Sequence, residues 1–220
     1  MTYDVISTGS KGNAVVINSE ILIDCGVSFK KLSKCYKNIK LVLITHSHAD
    51  HINKITSKKL AKERPTLRFG CNEFCADILV NAGIPKKNID VLLQNTTYSY
   101  GRFSVSPVSL THDVPCFGYR IFYGADKLFY ATDTGNLDGI EAKDYNLYLV
   151  ECNYDDDEIQ KRIADKEEKG EYAYEYSAMR NHLSRKQCDD FIYANIGSTG
   201  RYVYLHQHED KKAKLPRCEI

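Results

Sequence analysis

The sequence has no long apolar run, no surplus of either charge, no internal repeat and no low-complexity linker. Its longest apolar stretches, such as Leu41 to Ile44, are strand-sized and far too short to span a bilayer. The 30 basic and 29 acidic residues leave a formal charge of only +1. No global positive field draws the chain onto nucleic acid, which favours a small substrate, although a local basic patch is compatible with that balance. The opening residues Met1-Thr2-Tyr3-Asp4-Val5 show no basic stretch followed by an apolar run, so no signal peptide is expected and the cytoplasm is the expected compartment. Without a secretion signal, the eight cysteines read as mostly reduced thiols rather than a disulfide framework. Cys71 and Cys75 sit one helical turn apart but lack a second nearby pair, so core packing is expected of them rather than metal binding. The 220 residues, 43% hydrophobic and 27% charged, suffice for one domain spanning 1–220 with a full core.

What is present is an alternation of short apolar runs with helical patterns. Ala14 to Ile17, Ile21 to Ile23 and Leu41 to Ile44 have strand length and are bounded by turn formers or charge. Ser28 to Tyr36 reads as a short helix capped by Ser28, and Ile52 to Glu63 as a helix that stops before Pro65. Leu67 to Gly70 is a strand. Asn72 then caps a helix to Ala82, closed by Gly83 and Pro85. Further strands are expected at Phe103 to Leu110, Tyr119 to Tyr123, Leu128 to Ala131, Leu147 to Val150 and Tyr202 to Leu205, with a hairpin turn at Gly124-Ala125-Asp126. Asp155, Asp156 and Asp157 cap a helix through Glu168, and another runs from Ser184 to Ala194. The acidic stretch Asp155 to Glu175, with Tyr172, Tyr174 and Tyr176, reads as a solvated helix and loop. Interleaved strands and helices suggest sheets covered by helices.

Three of the seven histidines fall within six residues, in Thr45-His46-Ser47-His48-Ala49-Asp50-His51. This spacing seldom arises by chance, and its setting supports it: a buried-strand run ends where the cluster begins, and a helix follows. Side chains at the end of a strand can fan out over a crevice. Two metals need more donors than one turn supplies. His112, Asp133 and His206 each follow directly after a strand and repeat the geometry of the first cluster. His208 lies two residues beyond His206 and points to the same face if the strand continues, but His206 fits the strand end better.

At this point the chain resembles the metallo-β-lactamase superfamily, and within it the YycJ-type phosphodiesterase and exonuclease branch. That branch is related to the ribonuclease Z group and to the anti-Pycsar cyclic nucleotide phosphodiesterases of phages. The resemblance runs through Ser7-Thr8-Gly9-Ser10-Lys11-Gly12-Asn13, Leu22-Ile23-Asp24-Cys25-Gly26, the His46 cluster, Thr111-His112-Asp113-Val114-Pro115, Glu151-Cys152-Asn153-Tyr154-Asp155 and Asn181-His182-Leu183-Ser184. It implies an α/β fold, a four-layer αββα sandwich with a dinuclear site. One metal would be held by His46, His48 and His112, the other by Asp50, His51 and His206, with Asp133 bridging. Asp50 is also counted with the catalytic groups, and Asp24 would support the histidine turn without ligating. Asn181 departs from the pattern, since relatives often carry Gly there. The resemblance also implies a homodimer, and phage relatives would act in the host cytoplasm.

Two cations would provide a hydroxide near neutral pH and neutralise charge on a phosphoryl oxygen. Zinc is expected from the imidazole and carboxylate donors, with manganese as the alternative. His182 remains to protonate a leaving group; its plainer role would be as a helix-cap neighbour. The Gly9 to Asn13 loop could cradle a phosphate, although Gly and Asn serve ordinary turns as well. The expected function is hydrolysis of small 3′,5′-cyclic nucleotides. DNA exonuclease activity of the YycJ kind is the principal alternative, lactonase or β-lactamase activity the third, and a non-enzymatic binding module the outsider. The tyrosines of 172–176 offer a contact surface for the dimer, and no membrane association is expected.

Overall fold

A computed structural model describes residues 1–207. His208, weighed above against His206, lies outside the described residues. Two six-stranded mixed sheets face each other. The first contains β1 (Tyr3–Ser7), β2 (Ala14–Ile17), β3 (Ile21–Ile23), β4 (Leu41–Leu43), β5 (Arg68–Cys71) and β6 (Ile89–Val91) in sequence order. The second runs from β12 (Arg201–Leu205) through β11 (Leu147–Glu151), β10 (Asp126–Ala131), β9 (Cys116–Tyr123) and β8 (Phe103–Leu110) to β7 (Tyr98–Tyr100). Pairing is antiparallel for β1–β2–β3 and β7–β8–β9–β10 and parallel elsewhere.

The period-two alternation of strands divides the core into layers. In β2, Val15 and Ile17 point between the sheets while Ala14 and Val16 point outward; Leu41 and Leu43 of β4 face inward and Val42 outward. Inward residues meet Val105, Tyr119, Ile121, Leu128, Tyr130, Leu147 and Leu149 from the second sheet. Outward residues of the first sheet pack on α1 (Phe29–Leu32), α2 (Lys54–Glu63) and α3 (Glu73–Asn81) through Leu32, Leu60, Cys75 and Leu79. Outward residues of the second sheet pack on α6 (Arg185–Asn195) through Cys188, Phe191 and Ile192. The layering is αββα, as expected. Strands buried on both faces explain why the sequence shows continuous apolar runs there. No helix among the described residues is long and apolar enough to cross a membrane.

Some boundaries differ. The helix expected over Ser28 to Tyr36 is a single α-turn, Phe29–Leu32, because Leu32 alone in it is fully buried while its lysines face water. α2 starts at Lys54 rather than Ile52 because the Asn53 side chain accepts from Thr56 N at 3.0 Å and caps it. Directly after the acidic stretch, where no element was expected, lies α5 (Glu175–Asn181). It packs with α4 (Asp156–Glu168) around Tyr154, Ile159, Ile163 and Ala173. Two of the tyrosines offered as a dimer surface are engaged within their own chain. Lys166 Nζ lies 3.7 Å from the Tyr174 ring centre, and Tyr176 Oη donates to Glu167 Oε1 at 2.7 Å. Tyr172 is 83% exposed.

The two sheets are tied together beneath the histidine turn. Tyr119 Oη on β9 donates to the Ile44 carbonyl at 2.5 Å, and Phe117 N donates to the Thr45 carbonyl at 2.9 Å. Tyr119 is wholly buried, so Tyr119→Phe would strand a carbonyl without water. A loss of about 1–3 kcal/mol is expected, read from urea unfolding; an unchanged unfolding midpoint would mean that Ile44 finds another partner.

Candidate metal centre

Strand ends at one edge of the sandwich supply nearly every group. Asp24 follows β3, the His46 turn follows β4, His112 follows β8, Asp133 follows β10, Glu151 closes β11 and His206 follows β12. Parallel β10, β11 and β12 deliver their last residues side by side. Asp24, Asp133 and His206 have φ of 60°, 57° and 50°, a region that side chains other than Gly seldom occupy. Such strain persists where surrounding contacts impose it, and it gathers at functional sites. At His206 the contacts are explicit: its N–H donates to Thr8 Oγ1 at 2.8 Å and its carbonyl accepts from Asn153 Nδ2 at 3.1 Å.

His46, His48 and His112 bring three ring nitrogens within 4.8 Å of one another. His46 Nε2 and His48 Nδ1 stand 3.1 Å apart. The outer nitrogen of His112, Nδ1, lies 3.2 Å from the Asn181 carbonyl, which leaves Nε2 facing the cluster. Burial, reinforced by the neighbouring His51, His112 and His48, pushes His46 down to about 2. It is therefore a neutral ring with a lone pair to offer.

His51 and His206 converge on Asp133. His51 Nε2 lies 2.9 Å from Asp133 Oδ2, and His206 Nδ1 lies 2.9 Å from Asp133 Oδ1. His46, His51 and Asp133 form a second fully buried trio. His51 Nδ1 faces Asp24 Oδ2 at 2.7 Å, while Asp24 Oδ1 accepts from Thr45 N at 2.9 Å. Asp24 thus orients the ring from behind and belongs to none of the donor clusters among the described residues. Burial disfavours charge on Asp133, but His206 and His51 outweigh it and hold the carboxyl well below its usual range. Burial likewise opposes charge on His206, yet Asp133 and Glu151 raise it to about 10.

His182 enters the same space from the C-cap of α5. Its Nδ1 lies 3.0 Å from Glu151 Oε2 and 3.3 Å from Asp133 Oδ1. Glu151 is fully buried; Oε1 accepts from Thr134 N at 2.5 Å, and Oε2 also lies 3.5 Å from His206 Nδ1. Sequence reasoning quoted Glu151 within a motif but gave it no role. The signal was there: a carboxylate closing the apolar strand Leu147 to Val150, in the same strand-end position as the assigned groups.

Other expected groups are placed differently. Asp50 is in none of the donor clusters among the described residues; its Oδ2 is 3.5 Å from His51 Nε2 and 3.3 Å from Asn13 Nδ2. Burial would raise its carboxyl, but the His51 ring beside it keeps it below the ordinary value, so it is ionised at the rim. Three of the backbone N–H groups of the Gly9 to Asn13 loop are spent on fixing the loop and the Asp50 turn. Gly9 N donates to Asn13 Oδ1, Gly12 N to the Gly9 carbonyl and Asn13 N to the Asp50 carbonyl. A buttress for the histidine turn accounts for it better than a phosphate cradle does. The fit is close: a Cβ on Gly26 would stand 1.6 Å from the Asp50 carbonyl oxygen. Cys71 and Cys75 are buried in the outer core, as expected. Asn181 ends α5 and contributes its carbonyl to His112. Ser184 makes a full capping box with Gln187 for α6.

Metal chemistry fits this donor set. His112 Nε2 and Asp133 Oδ2 are buried without a hydrogen-bond partner, although each has a polar atom close by. Facing imidazole nitrogens and an unmatched carboxylate oxygen lack donors between them, and a divalent cation supplies what they lack. His46, His48 and His112 offer one set of ligands. Asp133, Glu151, His182 and His206 offer another, and His51 reaches the same Asp133 carboxylate from the His46 side.

Fold and donor geometry together define a class. Residues 19–184 match the family described as the β-lactamase superfamily domain, and the chain belongs to that superfamily. The exodeoxyribonuclease YycJ of Bacillus anthracis is 25% identical over 169 residues, covering 70% of this chain and 63% of the relative. The ribonuclease Z of Clostridium kluyveri is 30% identical over 118 residues, 46% of this chain and 39% of the relative. The chain thus spans less than two thirds of the length of these relatives. Among solved structures, the metallo-β-lactamase fold protein YhfI from Bacillus subtilis superposes with a TM-score of 0.72 at 18% identity, covering 95% of this chain and 87% of that one. That likeness establishes the metallo-β-lactamase fold.

The Glu151 contacts yield a graded expectation. Glu151→Ala strands the Thr134 N–H and removes the anion facing two histidines, which should cost about 1–3 kcal/mol in the metal-free chain. Glu151→Gln keeps an acceptor for Thr134 and should lose less. Urea unfolding of both variants checks this; equal losses would show that the Thr134 bond contributes nothing.

Proposed function

We propose that the chain is a dinuclear metal-dependent phosphodiesterase. The observation that carries this reading is the meeting of donor sets around Asp133, the largely buried one of which includes the His182–Glu151 pair. In this reading His46, His48 and His112 hold one ion, and His51 and His206 hold the other with Asp50 at its edge. Asp133 bridges, and zinc is preferred to manganese for these donors. The ions would supply a water nucleophile near neutral pH and neutralise charge on the phosphoryl oxygens. Asp24 fixes the tautomer of His51 by accepting from Nδ1, so that Nε2 presents its lone pair. His182 has Nδ1 turned to Glu151, which leaves Nε2 to give a proton to the departing alkoxide. Glu151 stabilises the ring when it carries that proton.

Substrate size follows from where the charges lie. Near-zero net charge suggested a small 3′,5′-cyclic nucleotide. Yet ten of the 30 basic residues fall within 28–64, against two of the 29 acidic ones, Asp50 and Glu63. A segregated basic face favours a chain of phosphates over a single one. The relatives named as a DNA exonuclease and a ribonuclease support the same choice. A nucleic-acid strand is therefore the proposed substrate, with cyclic nucleotides second.

His182→Ala should keep its metal and fold while cleavage of an unactivated oligonucleotide falls by roughly 10²–10⁴-fold. Bis(p-nitrophenyl) phosphate, whose leaving group needs no proton, should suffer far less. Equal losses on both substrates, or loss of metal, would make His182 a ligand rather than the acid.

A further inference from the structure

We infer that the exposed faces of α1 and α2 form a track for the backbone of a single-stranded nucleic acid, leading to the metal centre. This rests on the phosphodiesterase reading for its direction but not for its electrostatics. The outward face of α2 carries Lys54, Lys58, Lys59 and Lys62, all exposed, while Thr56, Ser57, Leu60 and Ala61 face the core. Beside it, α1 and the turn after it expose Lys30, Lys31, Lys34 and Lys37. The two groups share one surface: Lys59 Nζ lies 4.2 Å from the Phe29 ring centre, and α1 packs on α2. Both ends meet the site. The cap of α2, Asn53, is two residues past His51, and Lys31 Nζ donates to Ser7 Oγ at the head of the loop that touches His206 and His51.

A run of lysines is ordinarily a solvated face interleaved with acids. Here the arrangement opposes the helix that bears it. Lys54, Lys58 and Lys62 repeat at i, i+4 and i+8, a spacing at which like charges repel. Lys54 opens α2, where the positive end of the helix disfavours a cation, and there is no acidic residue in that turn. By contrast, α4 follows the ordinary rule, with Asp156, Asp157 and Glu158 in its first turn and Lys166 in its last. Some exposed lysines elsewhere do find a partner, as Lys40 does in Glu20 and Lys186 in Asp190. Among the described residues, Lys54, Lys58 and Lys62 have no ion pair. The missing counter-charge is what a phosphate backbone provides. The acidic α4, on the side of the site that bears His182, would direct a polyanion toward this face and away from itself.

The test is fluorescence anisotropy of a labelled phosphorothioate oligothymidylate, which keeps its charges and resists cleavage, titrated with metal-loaded protein over a range of NaCl. The triple variant K54E/K58E/K62E should bind at least tenfold more weakly at low salt. Its log K against log salt should be shallower by about 2, the loss of three contacts at about 0.7 each. The exposed pair K86E/K87E, on the edge beside β6, should change neither quantity. If the triple variant unfolds, K54Q/K58Q/K62Q gives the same comparison with less repulsion. Unchanged affinity and slope in a folded variant, an equal effect from K86E/K87E, or preferential binding of the wild type to phosphatidylserine vesicles would overturn the track. A wild-type chain that binds through these lysines but cleaves no phosphodiester would uphold the track and overturn the phosphodiesterase reading instead.

Discussion

Asp133 is ionised, almost wholly buried and set between His51 and His206. An isolated carboxylate in such a place costs several kcal/mol, so it survives only with positive charge at both oxygens. In the metal-free chain that charge comes from imidazolium. Once the rings are neutral the same positions could take cations, because an imidazole offers a lone pair where its imidazolium offered a proton. The site concentrates negative and lone-pair character, and His112 Nε2 is buried there without a hydrogen-bond partner.

The rest of the structure holds that region together. Asp24 anchors both Thr45 and His51, the Tyr119 hydroxyl closes the two sheets under Ile44, and Asn13 N fastens the loop after β1 to the Asp50 carbonyl. Gly26 permits the backbones to approach at a distance no side chain would allow. Each contact spans residues far apart in sequence, so the donors are placed by tertiary structure rather than by the local turn alone.

Much of this was legible in the sequence because strands buried on both faces leave continuous apolar runs, and the metal-type residues stand directly after them. His46, His48, His112, Asp133 and His206 were visible in that way, and the αββα layering came with the resemblance. Three short strands were not visible: Tyr3–Ser7, Ile89–Val91 and Tyr98–Tyr100 sit at sheet edges with no fully buried residue, so they carry little hydrophobic pattern. Glu151 was overlooked because one acid after an apolar strand resembles a strand terminus; only its distances to His182 and His206 distinguish it. The net charge carried less information than the placement of the charges. A near-zero sum concealed the basic face of α1 and α2, since a total contains no information about placement.

Anomalous diffraction at the zinc edge from crystals of the zinc-loaded protein tests the central claim most directly. The account predicts two peaks, one among His46, His48 and His112 and the other among His51, Asp133 and His206. A single peak, or none at these residues, would contradict it.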